Sequence, residues 1–324
     1  MNRRDVVLAL LALGVAPLAA EAQPAARLPR IGVLWQTTPP PPVHPNMVAM
    51  LKGLNDLGWE DGKTVAIEYR YAGNDADRLA QFANELVRLK VDVITTTGDL
   101  STRAAQQATA TIPIVAVVGF PVESGFVKSL ARPGGNITGV AVLSDELSAK
   151  RLALLKELMP RMRRVAVLWD PVTSERQHKA AEAAARTLGL QVEVLRAKTA
   201  GDLAGAFEMA TAARAEALLV LVSPMFLGNA RAFVDLAARH RIPVMYSAPA
   251  FVELGGLITY GFVTDEQGRL AAASIDKILK GARAADLPVQ QPTTFALVIN
   301  LKTAKALGLK IPQSILLRAD RVIE

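Results

Sequence analysis

Short apolar runs recur along the chain, each bounded by turn-forming residues and most followed by a stretch with helical spacing. Ile31 to Trp35 is apolar apart from Gly32, which suits a strand buried on both faces, and it opens onto the turn-rich TTPPPPVHP. Asn46 to Leu57 reads as an amphipathic helix closed by Gly58 in a left-handed cap. Thr64 to Tyr71 alternates apolar and polar residues as a strand does. Asp75 to Lys90 sets Leu79, Phe82, Leu86 and Leu89 at helical spacing. Val91 to Thr96, Ile112 to Val118 and Ile137 to Leu143 continue as strands, with a helix at Leu100 to Thr109.

The rhythm then starts again. Strands at Val165 to Trp169, Gln191 to Ala197, Ala217 to Val222 and Pro243 to Ser247 alternate with helices at Glu175 to Leu188, Ala200 to Ala213 and Asn229 to His240. The wording repeats with the rhythm. RIGVLW at Arg30 returns as RVAVLW at Arg164, VDVITTTGD as EALLVLVSP, TIPIVAVVG as RIPVMYSAP, and GGNITGV as GGLITYGF. The tail adds a helix at Thr264 to Leu279 ending at Gly281, a strand at Thr294 to Ile299, and a short helix at Lys302 to Leu307 capped by Gly308.

Regular alternation of strand and helix predicts parallel sheets covered by helices on both faces, with right-handed crossovers. Two such halves in 324 residues predict a two-lobed α/β protein with doubly wound parallel sheets and a cleft between them. The division expected is 29–143 plus about 262–290 for one lobe and 144–261 plus about 291–324 for the other. The chain then crosses between lobes near 140–148, 258–264 and 285–295.

The N-terminus carries an export signal. Arg3 and Arg4 precede an apolar stretch from Val6 to Ala20, and Ala20-Glu21-Ala22 makes a cleavage site, so residues 1–22 read as a signal peptide. Arg3-Arg4-Asp5-Val6-Val7 also fits the outline of a twin-arginine signal. The formal net charge of +7 stays with the body, because Arg3 and Arg4 cancel Asp5 and Glu21. Its basic residues are dispersed, and neither a basic stripe nor a helix-turn-helix is present, so no nucleic-acid partner is expected. The chain has no cysteine, which excludes disulfides, thiolate metal sites and a lipid-anchoring Cys. A free periplasmic location follows.

In open parallel sheets ligands bind beyond the carboxyl ends of the strands. Trp35, Phe120, Trp169, Phe226, Tyr246 and Tyr260 all fall at or just after strand exits in a chain with only 5% aromatics, which suggests a ring-lined cleft. Thr37, Thr97, Gly119 and Ser223 share those exits. Thr97-Gly98 precedes a helix whose free N–H groups suit a carboxylate. Asp99 and Asp170 stand at matching places and either take an ammonium group or act as helix N-caps. Enzyme signatures are thin: His44, His178 and His240 lack metal spacing, Ser223 lacks a nucleophile elbow, and the Gly-Gly pairs form no phosphate loop. No cofactor is implied.

Longer phrases carry a family resemblance. RPGGNITG at Arg132 to Gly139, AKRL at Ala149, ELGGL at Glu253, Tyr260-Gly261, ILKG at Ile278, and LVINLKTAKALG at Leu297 to Gly308 resemble ABC transporter substrate-binding proteins of the tryptophan/tyrosine type. The similarity runs from about Pro29 to the C-terminus. It implies a type I periplasmic-binding-protein-like fold, a small-molecule ligand trapped by hinge closure, and a partner permease and ATPase at the inner membrane. That family commonly has Gly-Thr-Pro at Gly98-Asp99-Leu100, Asp-Pro at Phe120-Pro121, Asn-Pro at Asp170-Pro171 and Asp-Pro at Ser223-Pro224. Loss of the acidic group at Phe120 and Ser223 with gain of Asp99 and Asp170 implies either an amine site in a new place or a different ligand altogether.

The leading expectation is a monomeric periplasmic receptor for a small, partly apolar solute, an aromatic amino acid or aromatic acid first. The alternatives are a ligand-sensing module for a membrane kinase and a two-domain enzyme using Asp99 and Asp170 as a carboxylate pair.

Overall fold

The computed structural model describes residues 27–37, 45–142 and 145–324, so the signal segment and His44 lie outside the described residues. The repeat in the wording is a repeat in the architecture. Strands β1 (Arg30–Trp35), β2 (Ala66–Tyr71), β3 (Val93–Thr97), β4 (Ile114–Val118) and β5 (Ile137–Ala141) form one all-parallel sheet in the order β2-β1-β3-β4-β5. Strands β6 (Arg164–Trp169), β7 (Gln191–Arg196), β8 (Ala217–Val220), β9 (Val244–Tyr246) and β10 (Ile258–Phe262) repeat that order as β7-β6-β8-β9-β10 in the second sheet.

The two halves are fastened in the same way. Asp92, just before β3, accepts from the backbone N–H of Arg30 at 2.7 Å. Glu216, just before β8, accepts from the N–H groups of Arg163 and Arg164 at 3.0 and 3.1 Å. Each carboxylate meets the first N–H groups of the neighbouring central strand, donors that would otherwise go unpaired. The strand register pairs Ile31 with Val93 and Val165 with Ala217, one residue away from the string alignment of VDVITTTGD with EALLVLVSP.

Helices α1 (Pro45–Asp56), α2 (Ala76–Arg88) and α3 (Asp99–Ala108) cover the first sheet, and α4 (Asp145–Leu158) opens the second half. Next come α5 (Arg176–Thr187), α6 (Asp202–Ala212), α7 (Pro224–Gly228), α8 (Ala230–His240) and α9 (Pro249–Glu253). Each sheet is sandwiched between two apolar clusters, one built on Val33 and Met50 and another on Leu34 and Leu86 in the first half. No helix among the described residues is long and apolar enough to cross a membrane.

Helix α10 (Thr264–Leu279) follows β10 of the second sheet but packs on α1 of the first, where Ala49 and Ala272 face Gly268 and Gly53. Trp59 adds a tie, its Nε1–H donating to the Asp276 carboxylate at 2.9 Å. The chain then runs along β5, where Gln290 donates its N–H to the Gly139 carbonyl at 2.8 Å, before β11 (Phe295–Asn300) joins the second sheet. Short helices α11 (Leu301–Ala306) and α12 (Gln313–Leu316) and strand β12 (Arg321–Ile323) close the chain.

Two of the departures from the sequence reading bear on how the halves are joined. The second sheet is mixed, because β11 re-enters from the other side and pairs antiparallel with β10, Phe295 opposite Phe262. Helix α4 stands where the reading had only a connection. Leu152, Leu154, Leu155 and Leu158 are all buried around it, so its apolar positions show no single stripe to read.

The closing phrases of the two halves have a steric cause. Gly139 sits at φ +135°, and a methyl there would stand 2.1 Å from the Ala116 carbonyl oxygen of β4. Gly261 likewise lies against the Ser247 carbonyl. Gly139→Ala is therefore expected to destabilise the protein by about 3 kcal/mol or more, measured as a fall in the urea midpoint.

Candidate ligand-binding cleft

A cavity of about 100 Å³ lies between the carboxyl-end rims of the two sheets. Of the residues expected at the site, Thr97, Gly98, Asp99, Gly119, Phe120 and Ser223 line it. The first rim is polar and incompletely satisfied. Gly98 is the N-cap residue of α3 at φ +87°, and no side chain caps that helix. Asp99 is not the cap: its carboxylate accepts from Ser124 Oγ at 3.0 Å. Burial holds the Asp99 pKa above the ordinary carboxylate value, with Ser124 and Arg103 acting in the opposite direction.

The second rim is self-contained. Asp170 is buried behind the cavity, where it accepts from Ser223 Oγ at 2.6 Å and from the Val172 N–H at 3.0 Å. Ser223 Oγ in turn accepts from the N–H groups of Met225 and Phe226, capping α7. Gln177 exchanges two hydrogen bonds with the Val222 backbone, at 3.0 and 3.1 Å. Desolvation raises the Asp170 pKa, opposed by these same bonds. Asp170 therefore positions the rim and is not available to an ammonium group, which corrects the expectation of a matched pair with Asp99.

The ring-lined cleft is corrected as well. Trp35 is 2% exposed and packs with Met47 and Met50 in the first core, backing the cavity through a small void of about 10 Å³. Phe226 and Tyr246 belong to a buried ring cluster: Phe226 lies 5.7 Å from Phe233, and Tyr246 stacks on Phe251 at 4.9 Å. Trp169 is buried with its Nε1–H on Thr173 Oγ1 at 3.2 Å, its ring 4.2 Å from His178. Tyr260 takes a hydrogen bond from Lys150 Nζ at 2.6 Å and stacks on Phe295, outside the cavity lining. Phe120 lines the cavity, as does Phe262 of β10, which the sequence reading passed over. At a strand exit a ring that plugs the core end and a ring that faces solute look alike in sequence.

Other lining residues were passed over for identifiable reasons. Gln36 lies between the chosen Trp35 and Thr37, and neither of these lines the cavity. Asn46, Gln177 and Gln267 reach the cavity from helices and carry no strand-exit signal. Thr37 is buried in the seam, where a methyl on Gly228 of α7 would be 3.3 Å from its Cγ2.

The lobes touch across the cleft. A methyl on Gly98 would stand 3.0 Å from Pro224 Cγ, and Arg176 of α5 pairs with Glu123 at 2.6 Å while lying over the Phe120 ring. Both members of that ion pair are half exposed, so it contributes at most about 1 kcal/mol. Arg151 lies buried below the rim and donates to the Tyr260 carbonyl at 2.6 Å and the Ser247 carbonyl at 3.2 Å.

Residues 42–323 match the family described as ABC transporter substrate binding protein. A tyrosine-binding protein of Clostridioides difficile is 29% identical over 275 residues, 82% of this chain and 79% of that one. An ABC domain from Streptococcus pneumonia, solved in complex with L-Trp, is 27% identical with a TM-score of 0.81, over 91% of this chain and 100% of that one. The ligand-free, open structure of a substrate binding protein with adhesive properties from Clostridium difficile is 25% identical with a TM-score of 0.64, over 91% and 99%.

Two expected outcomes follow from the packing. Trp35→Ala and Tyr246→Ala should each cost about 3–5 kcal/mol in urea unfolding, as deletions of buried rings. Asp170→Ala should lower the stability by about 1–3 kcal/mol, because it leaves the Ser223 hydroxyl and Val172 N–H unpaired.

Proposed function

The chain belongs to the ABC transporter substrate binding protein family, whose members bind solutes and are not enzymes, and we propose that it is the periplasmic receptor of an importer for a small amino acid or related amine. The observation that carries this reading is the cavity closed between two strand-exit rims, with polar groups on one side and apolar walls from Val117, Val142, Val222 and Leu227. Solute bridging both rims stabilises the closed arrangement by its higher affinity for that state. The closed form is then the one that a permease recognises, and the ATPase behind it drives release. No step of chemistry is performed on the solute.

The lobe contacts support a closed state. So does the better superposition on the L-Trp complex than on the open, ligand-free relative, at similar identity. The lobes divide in this reading at 29–143 plus 262–290 and 144–261 plus 291–324. Residues 1–22 are removed on export, and the receptor works as a monomer in the periplasm.

The relatives make tryptophan and tyrosine the first solutes to test. The closed cavity of about 100 Å³ is smaller than the roughly 150 Å³ that accommodates benzene, so an aromatic side chain needs the lobes to stand further apart.

The chain lacking residues 1–22, refolded to strip carried-over solute, should show a midpoint raised by several degrees with amino acids in a thermal-shift panel that also holds sugars and aromatic acids. A shift with sugars alone would replace the amino-acid class while keeping the receptor. Gly98→Ala should weaken whichever solute binds by about tenfold or more, read by titration calorimetry. Its methyl would stand 2.5 Å from Gln36 Oε1, on a backbone at φ +87°.

A further inference from the structure

We infer that Gln36 and Asp99 together form an ammonium-binding subsite, so that the solute is recognised through a protonated amine rather than through a carboxylate alone. This rests on the receptor reading above and names the group by which its cleft selects.

Two acceptors line the cavity near Gly98. Gln36 is 3% exposed, lines the cavity, and its Oε1 is buried without a hydrogen-bond partner. A buried amide oxygen in a native fold is almost always paired, so this one awaits a donor. Its closeness to Gly98 brings it to the start of α3, where Asp99 follows directly. Among the described residues lining the cavity, Asp99 alone has an ionisable side chain. The nearby cations are engaged elsewhere: Arg103 donates to the Ser124 carbonyl at 2.8 Å and lies over Phe126, and Arg176 pairs with Glu123.

The cleft therefore presents one partly buried carboxylate and one unpaired carbonyl oxygen, with no cationic side chain among the described residues that line it. A primary ammonium brings three donors and the missing charge, and it satisfies both acceptors at once. A carboxylate placed there meets like charge. Ser124 holds the Asp99 carboxylate in place, and Asp170, turned behind the second rim, takes no part.

Matched probes separate this from the receptor reading. The refolded chain lacking residues 1–22 is titrated with L-valine, isobutylamine and isovalerate, and with L-tryptophan, tryptamine and indole-3-propionate. In each set the second probe lacks the carboxylate and the third lacks the amine. Within whichever set binds, the amino acid and the amine should bind and the deaminated acid should not. Asp99→Asn and Gln36→Leu should each weaken that binding by about tenfold or more. A deaminated acid that binds as tightly as its amine, or amine binding unchanged in Asp99→Asn, overturns the subsite and leaves the receptor standing. Silence with all six probes overturns the subsite, and silence across the wider panel with sugars overturns the receptor reading as well.

Discussion

A buried guanidinium ties together the places where the chain enters and leaves the second sheet. Arg151 is fully inaccessible, has no carboxylate partner among the described residues, and donates to the carbonyls of Ser247 and Tyr260, leaving Nη1 unpaired. Desolvation lowers its pKa to about 10, which still leaves it charged at neutral pH. Burying such a group is expensive, and two carbonyls offset only part of that. What it secures is geometric. Helix α4 is the first element after the chain leaves the first sheet, and β10 is the last before the chain returns, so Arg151 locks the two strands of the connection to each other. Lysine has one short-reaching head where arginine has a rigid fork, so it is a poor substitute here.

From that connection the cleft follows. Three passages of chain between the sheets hold two carboxyl-end rims face to face, and the rims divide the labour. The second rim satisfies its own polar groups through the line from Asp170 to Ser223 to the N-terminus of α7, and through Gln177 on Val222. It is a finished surface. The first rim keeps an acceptor and an uncapped helix start open, and in the proposed receptor it is the side that selects the solute.

Much of the fold was legible in the sequence because buried parallel strands advertise themselves as apolar runs between turns. The helix at Thr264–Leu279 was read with the bounds the structure gives. Helix α4 was not, since it is buried on several sides and carries no stripe. The antiparallel entry of β11 depends on where the chain crosses, which local pattern does not encode. For the site, strand exits pointed to the right loops but not to the right residues. Trp35, Trp169, Phe226 and Tyr246 were chosen for their rings, yet each spends its apolar area on the core. Gln36 sat between two chosen neighbours and was missed because side-chain direction at a strand end is set by the fold. Asp99 and Asp170 occupy equivalent positions, and only tertiary contacts separate the open acceptor from the structural one.

The shared fastening of Asp92 and Glu216 reaches beyond mechanics. Two carboxylates at the same place in two sheets that share one five-strand order perform the same service for the central strand. Similar wording alone arises wherever buried strands use the same few residues, whereas a coincident clamp is a detail that packing does not demand. It makes the halves structural repeats down to a single kind of hydrogen bond. The repeat breaks at the rims, where one half leaves acceptors open and the other satisfies its own.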